Sequence, residues 1–142
     1  ITDGNSGDIR LGASYAAGVV SGGTVLASEG LEIDLGNRVE HIKLLGGEAV
    51  DIVDRETTGR MAVALSAEQE VAWRADINAN VLTALGFNIG NSAGNRISIH
   101  APAIQRVDPQ ARDVQGRHLM ETELRLLPVA NGGNDELRIA VR

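Results

Sequence analysis

Three histidines, His41, His100 and His118, and two short runs of carboxylates are the residues of this chain with chemistry to offer. A histidine titrates near neutrality and serves as a general base or as a ligand to a transition metal. Either use needs a second group close by. The three histidines lie on separate strand-like stretches, with no ligand spacing between any two, so each reads first as a polar residue on an outward face. Glu48, Asp51, Asp54 and Glu56 form one acidic cluster, and Asn134-Asp135-Glu136 form another. Oxygen ligands of this kind suit calcium, but the spacing does not match an EF-hand loop, and strand alternation accounts for the carboxylates as a solvated face. Arg55, Arg60 and Arg74 have no phosphate nest beside them and read as ion-pair or interface residues. The sequence contains no nucleophile elbow, Walker loop, dinucleotide-binding glycine turn or zinc-protease helix. No nucleophile, base and stabiliser assemble from neighbouring positions. The expectation is a protein that is not an enzyme, with no cofactor and no metal.

Composition narrows the classes further. The chain has 142 residues, enough for one domain with a proper core. It has no cysteine, which excludes disulfides, thiolate metal sites and a cysteine nucleophile. A formal charge of −6 argues against a surface that grips nucleic-acid phosphate. Tyr15, Trp73 and Phe87 are the whole aromatic complement, too few for a base-stacking platform or a sugar-binding face. No run reaches transmembrane length and the first residues do not resemble a signal peptide, so no membrane partner is expected. The chain opens at Ile1 rather than Met, as a piece of a longer protein would, and Ile1 to Gly7 are set aside as context.

One stretch reads as a helix, Ser66 to Leu85. Ser66 and Gln69 have capping-box spacing, Glu68 adds negative charge to the first turn, and Gly86 follows as a C-terminal stop. Val71, Ala75, Asn78, Leu82 and Leu85 recur on one helical face. Trp73, at the rim of that stripe, either covers a sheet or anchors a contact between subunits. Asn78 and Asn80 are unusual on a plain surface helix and suit bonds to neighbouring backbone, within this subunit or in the next.

Strands flank this helix on both sides. Residues 1–23 read as a flexible arm or loop, with a strand near Asp8–Ala13. Thr24–Ser28, Leu31–Leu35, Val39–Leu45, Glu48–Asp54 and Met61–Leu65 alternate as strands, with turns at Gly36-Asn37 and Gly46-Gly47 and a glycine-bulged hairpin closing at Gly59. The alternate-face alanines Ala62 and Ala64 offer room for the helix. After a Gly/Asn/Ser loop at Phe87–Gly94, Ile97, Ile99 and Ala101 point inward, Arg96, Ser98 and His100 outward, and Pro102 ends the strand. Arg117–Leu127 is a long strand with Met120, Thr122, Leu124 and Leu126 on one face and Glu121, Glu123 and Arg125 on the other. A loop at Asn131–Asn134 leads to a last strand through Leu137, Ile139 and Val141. Seven or eight strands and one helix make the fold class mainly β: an antiparallel β-sandwich or partly open β-barrel over residues 24–142 with one flanking helix.

The order VDIVDRETTGRM, the helix LSAEQEVAWRADINANVLTAL, the strand beginning GNRISIHAP, the turn DVQG, the strand METELRLL and the ending NDELRI resembles the tail tube proteins of long-tailed bacteriophages and prophages. The likeness spans about Thr24 to Arg142, and the N-terminal arm departs from it. It implies a helix-flanked β-sandwich that closes into a ring, hexameric in that family, and stacks into a tube for DNA passage. The implied partners are copies of itself and other tail proteins. DNA would pass without specific binding, and the protein would reside in the virion tail after synthesis in the bacterial cytoplasm. Trp73, Asn78, Asn80 and Arg55 are the candidate subunit-interface residues. Glu32 and Asp34, or Glu121 and Glu123, would project carboxylates into a lumen that repels phosphate. Other readings are a decoration or head–tail connector protein, a secretion-system tube protein, and a carbohydrate-binding β-sandwich module.

Overall fold

The computed structural model describes residues 7–90, 92, 94–130 and 133–142. Of the sequence expectations, Ile1–Ser6, Asn91, Ala93, Asn131 and Gly132 fall outside the described residues. The elements run β1 (Asp8–Leu11), β2 (Ser14–Ala16), β3 (Val19–Ser21), β4 (Thr24–Asp34), β5 (Asn37–Leu44), β6 (Gly47–Arg55) and β7 (Thr58–Ala64). They continue through α1 (Ala67–Asn78), β8 (Thr83–Ile89), β9 (Ile97–Val114), β10 (Arg117–Leu126) and β11 (Arg138–Val141). Seven of these strands form one antiparallel sheet in the order β10-β7-β4-β1-β8-β9-β11, while β2–β3 and β5–β6 are separate hairpins. The fold is mainly β with one helix, as the alternation pattern implies. β1 matches the strand expected near Asp8–Ala13. The count exceeds seven or eight because β2 and β3 also form within the region expected as an arm, and β8 takes residues expected as the helix end and the Phe87–Gly94 loop. Thr24–Ser28 and Leu31–Leu35, by contrast, join as the single strand β4.

Strand β9 gives the sheet its curl. Its first residues pair with β8 and β11, and from Ile104 to Val114 it pairs with β10, which also pairs with β7. The sheet therefore bends partly into a ring without closing as a barrel. Pro102 lies inside β9 rather than at its end, in the irregular step between the Leu85–Ala101 and Thr83–Ile104 pairs. A missing N–H is tolerated at such a break in the ladder. The β9–β10 hairpin turns at Gln115 and Gly116, whose φ values are 53° and 78°, and the Asp113 side chain accepts from Gly116 N at 2.9 Å. Two positive φ values in a two-residue loop match the strand twist.

The core is the concave face of the sheet. Ile9, Leu26, Met61, Val63, Leu85, Ala101, Ile104, Met120, Leu124 and Leu126 pack there with Trp73 of α1. The helix thus covers the Met61/Val63 face of β7, not the Ala62/Ala64 face expected to receive it. Its start follows the sequence: Ser66 and Gln69 exchange side-chain bonds with each other's backbone N–H. Its end does not. The helix stops at Asn78, and Asn80 takes a left-handed φ of 52°. Asn80 N donates to Ile77 O at 3.0 Å and Val81 N to Asp76 O at 2.9 Å, the paired bonds of a Schellman stop. Val71 and Leu82 are exposed and the inward face is centred on Trp73 and Ile77, so the stripe expected through Val71, Leu82 and Leu85 is corrected. Gly86 is not a helix stop. It lies in β8, where an added Cβ would collide with Val20 Cγ1 and sit 2.7 Å from Ala13 Cβ. Nor do β6 and β7 form a hairpin: Gly59 sits within β7, paired with Ile33 and Leu124.

Candidate functional site: assembly surfaces

Among the described residues no three His, Asp or Glu side chains converge to hold a metal ion. The histidines are far apart in role. His41 meets Glu48 across the β5–β6 hairpin. His118 Nε2 lies 3.3 Å from Glu70 Oε2 on α1. Glu70 also accepts from Arg74 Nε at 3.1 Å and Nη2 at 3.0 Å, and the Arg74 guanidinium, with His118 adding to it, holds its carboxyl below the usual range. His100 and Ser98 are buried rather than outward. The reason is the small β2–β3 hairpin, which folds over that face of β8 and β9. His100 Nε2 lies 3.3 Å from Ala13 O, and the Tyr15 ring is 5.6 Å away. Burial lowers the His100 pKa, and the Arg138 charge acts in the same direction while the Ala13 carbonyl opposes them.

The structure assigns the four residues singled out for a subunit contact to different places. Trp73 is inside, the sheet-covering alternative. Its Nε1 donates to Thr122 Oγ1 at 3.2 Å, and the Arg106 guanidinium carbon lies 4.4 Å from its ring centre. Arg106 is itself buried and pairs with Asp76 Oδ2 at 2.9 Å. Arg106 was invisible in the sequence as a core residue, because a charged side chain on a strand is expected in solvent. Asn80 closes the helix and its Oδ1 accepts from Gln105 Nε2 at 2.9 Å, a bond within one chain. Asn78 is exposed. Arg55 Nε pairs with Glu136 Oε1 at 2.6 Å and its Nη2 reaches Asn134 Oδ1. Arg55 therefore fastens the root of the β5–β6 hairpin to the segment before β11.

Beyond that root the hairpin has little beneath it. Among the described residues β5 and β6 pair only with each other, and every residue of β6 is exposed. Val39 faces Ile52 and His41 faces Val50 across the ladder, so Val39, Val50 and Ile52 share one side, with Leu44 and Leu45 at the tip. Glu40 and Asp51 pair on the other side. An isolated two-stranded hairpin is marginal in water, and this one leaves Ile52 59% and Val50 67% exposed.

A second surface is charged. Cross-strand pairing puts Glu32, Arg60 and Glu123 side by side on β4, β7 and β10, with Asp34, Thr58 and Arg125 in the next row. Glu121 joins the same face. Arg60 Nε lies 3.4 Å from Glu121 Oε1 and its Nη2 3.7 Å from Glu123 Oε1. Glu32, Asp34, Thr58, Arg60, Glu123 and Arg125 line a shallow groove of about 380 Å³, with Glu121 beside it. The two carboxylate pairs offered by the sequence as alternatives are thus on one face, with Arg60 between them. Alternation within each strand shows the side, but only the neighbour order β4-β7-β10 unites the pairs.

No helix of the described residues is long and apolar enough to cross a membrane. No protein-family model matches the chain, and no curated protein matches it in sequence. Among solved structures, it is similar to the cryo-EM structure of the sheath/tube terminator of an extracellular contractile injection system, PVC, in its extended state. The TM-score is 0.63 at 9% identity, over 96% of this chain and 93% of that one. At this identity the likeness shows a shared fold.

Proposed function

We propose that this chain is a structural component of a tail or tail-like injection particle, working by contact with copies of itself and with other tail proteins. The observation that carries the reading is the β5–β6 hairpin, whose apolar side no described residue of the same copy covers. Burying such side chains contributes roughly 1.5–3 kcal/mol each, which favours a folded neighbour as their cover. The fold likeness to a sheath/tube terminator supports the same class. A fold alone hosts many functions, so the surface is the stronger support.

Within that class, the reading is a non-enzymatic ring-former, six copies to a ring, on the route DNA takes along a tail. The face carrying Glu32, Asp34, Glu121 and Glu123 is the candidate lumen lining. Arg60 pairs with Glu121 and Glu123 there and Arg125 lies in the next row, so it would present a weakly acidic, partly self-paired surface rather than a strongly repelling one. A terminator, a ring that caps a tube instead of repeating along it, is the second reading, favoured by the near-complete mutual coverage with the terminator structure. Electron microscopy of the purified chain at rising concentration tests the proposal. Rings, or rings stacked into tubes, are the expected result, with single capped rings favouring the terminator. Particles of monomer size throughout would contradict it.

A further inference from the structure

Among the described residues five strands, β2, β3, β5, β6 and β11, have a partner on one side only, and two of these open edges, on β6 and on β11, are suited to each other. An open edge presents unpaired N–H and C=O groups and is a template for another strand. The two edges also have matching faces. On β11, Ile139 and Val141 point to the concave side, continuing the rows Phe87–Ile99–Ile139 and Ile89–Ile97–Val141 outward from the core, and they remain 62% and 73% exposed. Arg138, Ala140 and Arg142 alternate to the other side. On β6, Val50 and Ile52 lie on one side and Asp51 on the other.

We infer that the outer edge of β6 in one copy adds to the outer edge of β11 in a second copy, extending its sheet. This rests on the self-assembly proposed above and names the surfaces that perform it. With Asp51 opposite Ala140, either strand direction sets Val50 and Ile52 beside Ile139 and Val141. The same register sets the Asp51 carboxylate between Arg138 and Arg142. Apolar side chains meet apolar ones on one face and opposite charges meet on the other, the cross-strand pairs that stabilise a sheet. A one-residue slip would put Asp51 opposite either Ile139 or Val141 of β11, so the register is specified. Because β6 and β11 are different surfaces, every copy carries one donor and one acceptor. Such a contact is head-to-tail and closes as a ring or continues as a helix, and it stops at a dimer only where two copies exchange both contacts about a two-fold axis.

The test uses that asymmetry. Ile52→Asp disables the donor and Ile139→Asp the acceptor, each by introducing a charge where apolar contact is needed, with an expected weakening of about tenfold or more. Sedimentation velocity should show the wild-type chain growing past a dimer, each variant alone staying monomeric, and their equimolar mixture stopping at a dimer. Thermal melts matching the wild type confirm that both variants fold. Since the chain has no cysteine, Asp51→Cys and Ala140→Cys chains can also be mixed under oxidising conditions. Directly opposed strand residues are within disulfide reach, so a mixed disulfide dimer is expected. A variant that assembles like the wild type, or a cysteine mixture that assembles without the mixed disulfide, overturns this inference and leaves the proposed function standing. A wild-type chain that stays monomeric overturns both.

Discussion

The clamp under α1 and the hairpin at β5–β6 break the usual rule of burial in opposite directions. Under the helix, charged and polar groups are inside: Arg106 is buried between the Trp73 ring and Asp76, and Thr122 accepts the indole N–H. In the hairpin, Val39, Val50, Ile52, Leu44 and Leu45 are outside. Within one chain the clamp pairs Arg106 Nη2 with Asp76 and the Trp73 indole N–H with Thr122, while Arg106 Nε and Nη1 are buried without a hydrogen-bond partner and the guanidinium lies against the Trp73 ring face. The clamp is thus covered by intrachain contacts, whereas no described residue covers the apolar side of the hairpin.

The sharpest way to break this contrast is at the clamp. Trp73→Ala removes the largest side chain between helix and sheet and strands Arg106 and Thr122, so a loss of about 3–5 kcal/mol is expected in urea unfolding. A smaller value would mean that the helix is held mainly elsewhere. Gly86→Ala comes next, because its new Cβ would be driven into Val20 and Ala13 of the segment covering β8. Overpacking of this kind costs about 1–3 kcal/mol, seen as a lowered denaturation midpoint.

Acid is expected to act on the same cover. The folded state holds the His100 pKa below its ordinary value, whereas the unfolded chain protonates it near pH 6.5. The unfolded state then binds more protons, so stability falls as pH drops below about 6.5 and levels off once folded His100 is also protonated. Hydrogen exchange of the Tyr15–Val20 amides should accelerate over that window, and His100→Asn should flatten the response. The smallest effect belongs to the hairpin. Ile52→Ser with Val50→Ser should leave monomer stability within about 0.5 kcal/mol, because those side chains lose little burial in one copy. A large destabilisation there would show that the hairpin is packed after all.

What the sequence revealed follows from which forces are local. The strict alternation of Met120, Thr122, Leu124 and Leu126 identified a half-buried strand, and Ser66 with Gln69 identified a helix start, since both signals are read from near neighbours. The helix end was misplaced because Leu82 and Leu85 keep helical spacing past the stop, while the signal that decides it is a left-handed asparagine at position 80. Arg106 and His100 looked like surface residues because their cover, Trp73 in one case and Ala13 with Tyr15 in the other, comes from distant sequence. Val50 and Ile52 alternate like core residues, and nothing in their spacing says that no core lies beneath them. The grouping of Glu32, Asp34, Glu121 and Glu123 on one face was likewise hidden, since strand order is a tertiary outcome.

The central claim is that the hairpin gains its structural context from another copy, and amide exchange across Asn37–Arg55 at increasing protein concentration measures it most directly. The account predicts fast exchange in dilute solution and strong protection of β6 amides at high concentration, with β10 amides slow throughout. Exchange of the β6 amides that is unchanged across the full concentration range would contradict it.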